Sequence, residues 1–233
     1  MPDTSPLSIA FLLYPDVTQL DLTGPAQFLS RIGGTIHYVA KAAEPVPTDA
    51  GFSIVPTATF AEITHADILC VPGGISCVEI IEDDETLAWV RAVGERAEWV
   101  TSVCTGSLIL GAAGLLEGYR AGCHWAWREH LALFGAEPVA ERVVFDRNRV
   151  TGGGVTAGID FALALIAAIR GEAHARIVQL ALEYDPAPPF DSGSPERASP
   201  ELIAFYRKRM ETLAPGRDDR IRAAAERLRE PAQ

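Results

Sequence analysis

The chain has 233 residues, 48% of them hydrophobic and 22% charged, enough to bury a sizeable core in one large domain or two small ones. Its formal net charge of −11 is uneven: residues 1–169 carry 20 acidic and 9 basic side chains, while residues 170–233 carry 11 of each. An acidic main body disfavours nucleic acid or an anionic membrane as principal partner, and no run reaches the ~18 apolar residues of a membrane helix.

From the N-terminus, Met1 to Pro6 has no basic stretch of the signal-peptide kind, so a cytoplasmic location is expected. Apolar runs at 7–13, 35–39, 68–71 and 100–104 are short and bounded by Gly, Pro or polar clusters, as strands buried on both faces of a parallel sheet are. Helices are expected between them at 24–31 (opened by Pro25), 84–96, 105–116, 125–134 and 156–169. The segment 143–150 reads as a hairpin turning at Asp146-Arg147-Asn148. This alternation predicts an α/β sandwich with a mostly parallel central sheet and helices on both faces. Beyond Ile169 a helix at 172–183 leads into an irregular, Pro-rich segment at 185–199. Charged amphipathic helices at 200–213 and 218–228 follow. One domain over 1–233 is the expected count.

The four cysteines are Cys70, Cys77, Cys104 and Cys123, with no Cys-x-x-Cys pair. Without a signal peptide no structural disulfide is expected, and the five histidines lack zinc-ligand spacing, so no metal is expected either. The strongest local signal is Ser102-Val-Cys-Thr-Gly-Ser107, where a strand runs into Cys104 and a helix starts at once. Small residues there permit a nucleophile elbow, with the thiol at the carboxyl edge of the sheet. A helix N-terminus is expected to lower the thiol pKa and favour thiolate. Cys70, inside an apolar strand, reads as structural, and Cys77 and Cys123 are expected near loops.

A second signal is Val71-Pro-Gly-Gly-Ile75, a turn whose backbone N–H groups can meet developing negative charge. The third is Asp21, in Asp21-Leu-Thr-Gly-Pro25 after the first strand. A helix cap is its plain reading, with a functional role competing because it shares a sheet edge with Cys104. Asp160 reads as structural, and Trp125, Trp127 and Phe134 as packing first, with an apolar substrate pocket as the second reading.

Together, Asp21-Leu-Thr-Gly-Pro25, Val71-Pro-Gly-Gly74, Ser102-Val-Cys-Thr-Gly-Ser107, His124-Trp125 and Thr151-Gly-Gly-Gly-Val-Thr-Ala-Gly-Ile-Asp160 resemble the ThiJ/PfpI superfamily, related to class I glutamine amidotransferases. The resemblance covers nearly the whole chain and implies a flavodoxin-like fold. It is nearest to the isocyanide hydratases, down to Gln179-Leu-Ala-Leu-Glu-Tyr184 and Pro186-Ala-Pro-Pro189. Departures separate the other branches. No His-x-Glu pair stands where amidotransferases carry one, and Thr105 follows the cysteine where PfpI-type proteases carry His. Asp21 occupies the position of the chaperone and deglycase branch's glutamate. AraC-type regulators append helix-turn-helix units, whereas the residues after Ile169 are expected to complete this domain and its extension.

The resemblance implies addition of water to an isocyanide, giving an N-substituted formamide, with no cofactor and with a homodimeric assembly. Cys104 would attack the isocyanide carbon to form a thioimidate, and Asp21 would serve as acid and then base. Thr105, through its hydroxyl or N–H, and the backbone of Gly74, Ile75 and Val155 would hold water or developing charge. His124 is either hydrogen-bonded locally or a neighbour of Cys104. Two rivals share the same cysteine: a redox or electrophile-sensing binding protein, and another Cys-dependent enzyme such as an amidase or glyoxalase-like hydratase.

Overall fold

The structure, a computed structural model, describes residues 6–230. The strands in chain order are β1 (Leu7–Leu12), β2 (Gly34–Ala40), β3 (Val46–Pro47), β4 (Ser53–Ile54), β5 (Ala58–Thr59), β6 (Ile68–Val71), β7 (Trp99–Val103), β8 (Arg120–Ala121), β9 (Glu137–Pro138), β10 (Val143–Asp146) and β11 (Arg149–Gly152). The helices are α1 (Gln19–Leu29), α2 (Cys77–Ile80), α3 (Asp84–Gly94), α4 (Gly106–Ala112), α5 (Ala157–Arg170), α6 (Glu172–Ala181), α7 (Pro200–Leu213) and α8 (Arg217–Arg229), with a 3-10 helix at Arg128–Phe134.

Seven strands form the central sheet in the order β10-β11-β7-β6-β1-β2-β5. Every pairing in it is parallel except the β10–β11 hairpin, whose turn places Arg147 at φ 53°. The core strands are apolar because helices cover both faces: all of β6 is buried, as is β7 from Val100 onward. The helices pack in two groups, α1 with α5 and α6, and α2, α3, α4 and α8 together. This is the α/β sandwich expected from the alternation of the sequence. From β1 the chain moves outward to β2 and β5, then returns to β6 on the other side. The β1/β6 boundary is therefore the topological switch point, the place where such sheets open a crevice at their carboxyl edge.

Several element boundaries differ from expectation for physical reasons. Helix α1 begins at Gln19, not at Gly24, so Pro25 lies inside it and Asp21 sits in its first turn. Pro25 has no N–H to give the Asp21 carbonyl four residues back. Packing against α5 compensates: Gly24 meets Ile159, and the Pro25 ring lies against Gly158. Helix α4 stops at Ala112, because Gly114 takes φ 76° and turns the chain away. The helix expected at 125–134 is a turn followed by the 3-10 helix. Its Trp127, Leu131 and Phe134 are nonetheless buried. The pairs β3–β4 and β8–β9, two residues per strand, carry too little pattern to be seen in the sequence. Residues 185–199 are irregular, and α7 begins at Pro200 with Ser199 capping it as acceptor from the Leu202 N–H.

Candidate active site

Three turns at the carboxyl edge converge on one point: that after β7 carries Cys104, that after β6 carries Gly73 and Gly74, and α1, after β1, carries Asp21. Cys104 has φ 59°, a left-handed conformation that a non-glycine residue adopts only where its surroundings enforce it. Here the enforcement is visible. The Cys104 N–H donates to the Gly153 carbonyl at 2.8 Å. Helix α4 starts so close behind that a Cβ on Gly106 would lie 2.1 Å from the Val71 carbonyl oxygen. Below the turn, Ser102 and Ser107 share a hydrogen bond of 2.8 Å, and the Ser107 hydroxyl donates to the Gly122 carbonyl at 2.6 Å. These buried polar contacts join β7, α4 and the segment after β8, and they hold the strand-to-helix turn.

Asp21 is 1% exposed. Its Oδ2 accepts the Gly73 N–H at 3.0 Å, while its buried Oδ1 makes no bond of hydrogen-bonding geometry among the described residues. Gly73 allows this approach, since a Cβ there would stand 2.5 Å from the Thr105 nitrogen and 2.8 Å from the carboxylate. Burial pushes the Asp21 carboxyl up to about 7; the Gly73 N–H and the Cys104 thiol pull in the opposite direction without prevailing. Cys104 is 5% exposed. Burial first, then the negative charge of Asp21 and the neighbouring Cys123, drive its pKa well above the ordinary thiol value, against the Thr105 and Val155 N–H groups bonded to the sulfur. The expected lowering is thus reversed, because the Thr105 N–H at the head of the seven-residue α4 and the Val155 N–H from the turn before α5 do not replace the lost water. In the neutral range the proton leaves Asp21 first. Cys104 therefore rests as a thiol, beside a carboxyl that is part protonated and part ionised near neutrality.

The donors expected from the sequence are distributed differently. Thr105 and Val155 reach the sulfur through their N–H groups. The Thr105 hydroxyl is occupied: it accepts the Gly74 N–H at 2.9 Å and donates to the Gly74 carbonyl at 2.8 Å. This clasp fixes the two turns to each other, so neither that hydroxyl nor the Gly74 N–H is open to developing charge. Ile75 lines a cavity of about 810 Å³ on the β1–β2 side of the site. His124 follows its local reading. Its Nδ1 accepts the Ala126 N–H at 3.2 Å, which leaves the proton on Nε2, facing the Tyr206 hydroxyl at 3.5 Å. Burial lowers its pKa to about 4, so the ring is neutral. Asp160 is structural, holding Arg142 and the Tyr184 hydroxyl. All four cysteines are buried free thiols, including Cys77 and Cys123.

Two neighbours escaped the sequence reading. Tyr14, just past β1, donates its hydroxyl to the Pro72 carbonyl at 2.9 Å and so braces the turn that presents Gly73. Tyr206, on α7, is folded back to within electrostatic reach of Cys104. No motif marks Tyr206, which is distant in sequence from the rest of the site. Among the described residues no cluster of three or more metal-ligating side chains occurs, and no helix is long and apolar enough to cross a membrane.

The sequence pattern of the DJ-1/PfpI family matches residues 7–168. An isonitrile hydratase of Pseudomonas putida is 51% identical over 204 residues, which is 87% of this chain and 90% of that protein. The HTH-type transcriptional regulator GbdR of Pseudomonas aeruginosa is 30% identical over 190 residues, 76% of this chain but 50% of the regulator. Among solved structures, a ThiJ/PfpI family protein from Pseudomonas syringae superposes with a TM-score of 0.87 at 46% identity, covering 95% of this chain and 91% of that one. DJ-1beta of Drosophila melanogaster, at 18% identity and a TM-score of 0.71 over 77% of this chain and 98% of that one, shares the fold.

Proposed function

From a chain that belongs to the DJ-1/PfpI family, and whose likeness to an isonitrile hydratase runs through both the family region and the extension beyond it, we propose the activity of an isocyanide hydratase. It is a cofactor-independent enzyme acting on a small molecule, converting R–N≡C and water to the N-substituted formamide. The likeness to the hydratase over 87% of the chain carries this reading, and the site chemistry is consistent with it.

In our reading Cys104 sits on a nucleophile elbow and is the nucleophile. The terminal carbon of the isocyanide approaches its sulfur. As the C–S bond forms, the Asp21 carboxylate takes the thiol proton and returns it to the same carbon, giving the thioimidate Cys104–S–CH=N–R. Water then adds to that carbon. Asp21 takes one proton from the water and passes it to nitrogen. The tetrahedral adduct collapses with cleavage of the C–S bond: the hydroxyl proton moves through Asp21 to sulfur, and HC(=O)–NH–R departs. The Thr105 and Val155 N–H groups stabilise negative charge on sulfur as the bond breaks. A carboxyl with a pKa of about 7 suits a group that must both take and give a proton near neutrality.

We also read the described elements as one domain and the enzyme as a cytoplasmic homodimer. Ile177 and Leu180 on α6 and Phe190 in the irregular segment are large, apolar and exposed, which suits burial against a second copy. The deciding experiment is steady-state formamide release from an isocyanide by the protein and by Cys104→Ala. Many turnovers from the first and none from a folded Cys104→Ala are expected. A single equivalent of modified protein without turnover would favour an electrophile sensor instead.

A further inference from the structure

Next to Val155 stands a group of aromatic rings drawn from two distant parts of the chain. Val155 binds the sulfur through its N–H, and the preceding Gly154 presses against His124, whose Cδ2 would lie 3.2 Å from a Cβ there. From His124 the wall continues to Trp125 (ring centroids 5.7 Å apart) and to Tyr206 of α7 (5.8 Å), and the Trp125 and Tyr206 rings are 5.2 Å apart. By sequence Trp125, Trp127 and Phe134 read alike, as packing first and an apolar substrate pocket second, but the structure separates them. Trp127 and Phe134 are core, whereas Trp125 is only partly buried and lines two adjoining cavities of about 440 and 310 Å³. The first is also lined by Val155, and the second by Tyr206.

We infer that Trp125 and Tyr206 form the seat for the N-substituent of the substrate, and that the preferred isocyanides carry a flat aromatic substituent. The inference rests on the hydratase reading. An isocyanide is linear at nitrogen, so with its carbon at the sulfur the substituent projects away from Cys104; Val155, which touches the sulfur, also lines the cavity that Gly154 and Trp125 wall. The space is ample: a cavity of about 150 Å³ holds a benzene ring in a protein interior, and the mostly apolar cavity that Trp125 and Tyr206 share with Leu202, Ile203 and Phe205 has about 310 Å³. Ring faces favour a ring over an alkyl chain of similar area. The neutral His124 ring suits an apolar guest, and the arginines at the rim are partnered: Arg142 is held by Asp160 and Thr156, and Arg128 by Glu129. Helix α7 lies beyond the family match at 7–168, so Tyr206 belongs to the part of the chain that the family pattern leaves free.

The test is steady-state kinetics of the full chain with phenyl isocyanide and with methyl isocyanide. The protein should favour the phenyl compound in kcat/KM by at least about 10-fold. In Trp125→Ala and in Tyr206→Ala that preference should fall by about 10-fold, mostly through KM for the phenyl compound, since a stacked aromatic pair is worth roughly a factor of 2 to 12 beyond its area. Tyr206→Phe keeps the ring and should keep the preference within about 2-fold. Equal losses with both substrates, or a preference unmoved by either alanine, would overturn the seat. Should either alanine variant fail to fold, product inhibition of the unaltered protein decides: N-phenylformamide must bind at least about 10-fold tighter than N-methylformamide, and equal binding overturns the inference. No turnover of either isocyanide by the unaltered protein would instead overturn the hydratase reading and the seat with it. Turnover of both with no aromatic preference would remove the seat alone.

Discussion

Replacing Asp21 by Asn removes one negative charge from a dry site while keeping the acceptor that Gly73 needs. In the folded protein the Asp21 carboxyl holds its proton up to about pH 7, against 3.8 for the ordinary group. Because the folded value is raised, the favourable contribution is complete below the unfolded pKa and is lost as pH climbs through the folded one. Below about pH 3.8 the side chain is neutral in both states and burial costs nothing electrostatic. As pH rises from there to about 7 the unfolded chain ionises freely while the folded chain does not, and the cost grows by about 1.4 kcal/mol per pH unit. Above about pH 7 it is constant, at roughly 4 kcal/mol. Asn carries no charge at any pH, so the stability gained by Asp21→Asn should rise by about that amount between pH 4 and pH 8. Urea denaturation of both proteins at the two pH values measures it, with unchanged m-values as the check that one transition is being compared. The same variant should lose about 10²- to 10⁴-fold in formamide turnover, because an amide cannot relay the proton. A stability difference equal at both pH values, or shrinking as pH rises, would refute the buried-charge reasoning. A stabilised variant with normal turnover would refute the proton relay alone.

Because the ionised Asp21 is the form that takes the thiol proton in the proposed mechanism, kcat/KM should rise with pH to a plateau as Asp21 ionises near 7, and this limb should be absent from what activity Asp21→Asn retains; a pH–rate profile that falls through that range would mean that protonated Asp21 is the working form. The φ of 59° at Cys104 makes glycine a better replacement than alanine there, so Cys104→Gly should be more stable than Cys104→Ala by roughly 1 kcal/mol in thermal or urea unfolding; equal stability would show that the turn relaxes freely. Sedimentation at micromolar concentration should give a species of twice 25.0 kDa, and a monomer would remove the proposed dimer.

The amino-acid sequence by itself determined the layered architecture. Runs such as Ile68–Val71 have apolar side chains on both faces, which only a strand covered on both sides tolerates. Small residues after Cys104 likewise marked the sharp turn, since Gly106 admits no Cβ so near the Val71 carbonyl. These features are local, set by volume and periodicity within a few residues. The proton states were not local. Whether Cys104 rests as thiol or thiolate depends on how much water the fold excludes and on how close Asp21 comes from another strand end, and burial outweighed the helix-terminus effect that the sequence suggested. The Gly74 N–H, open to substrate in any sequence reading, is taken by a hydroxyl 31 residues away. Tyr206 comes near Cys104 only because α7 sets its ring against His124 and Trp125. Burial and long-range pairing are properties of the packed chain, so the sequence named the candidate groups and tertiary structure set their protonation and their neighbours.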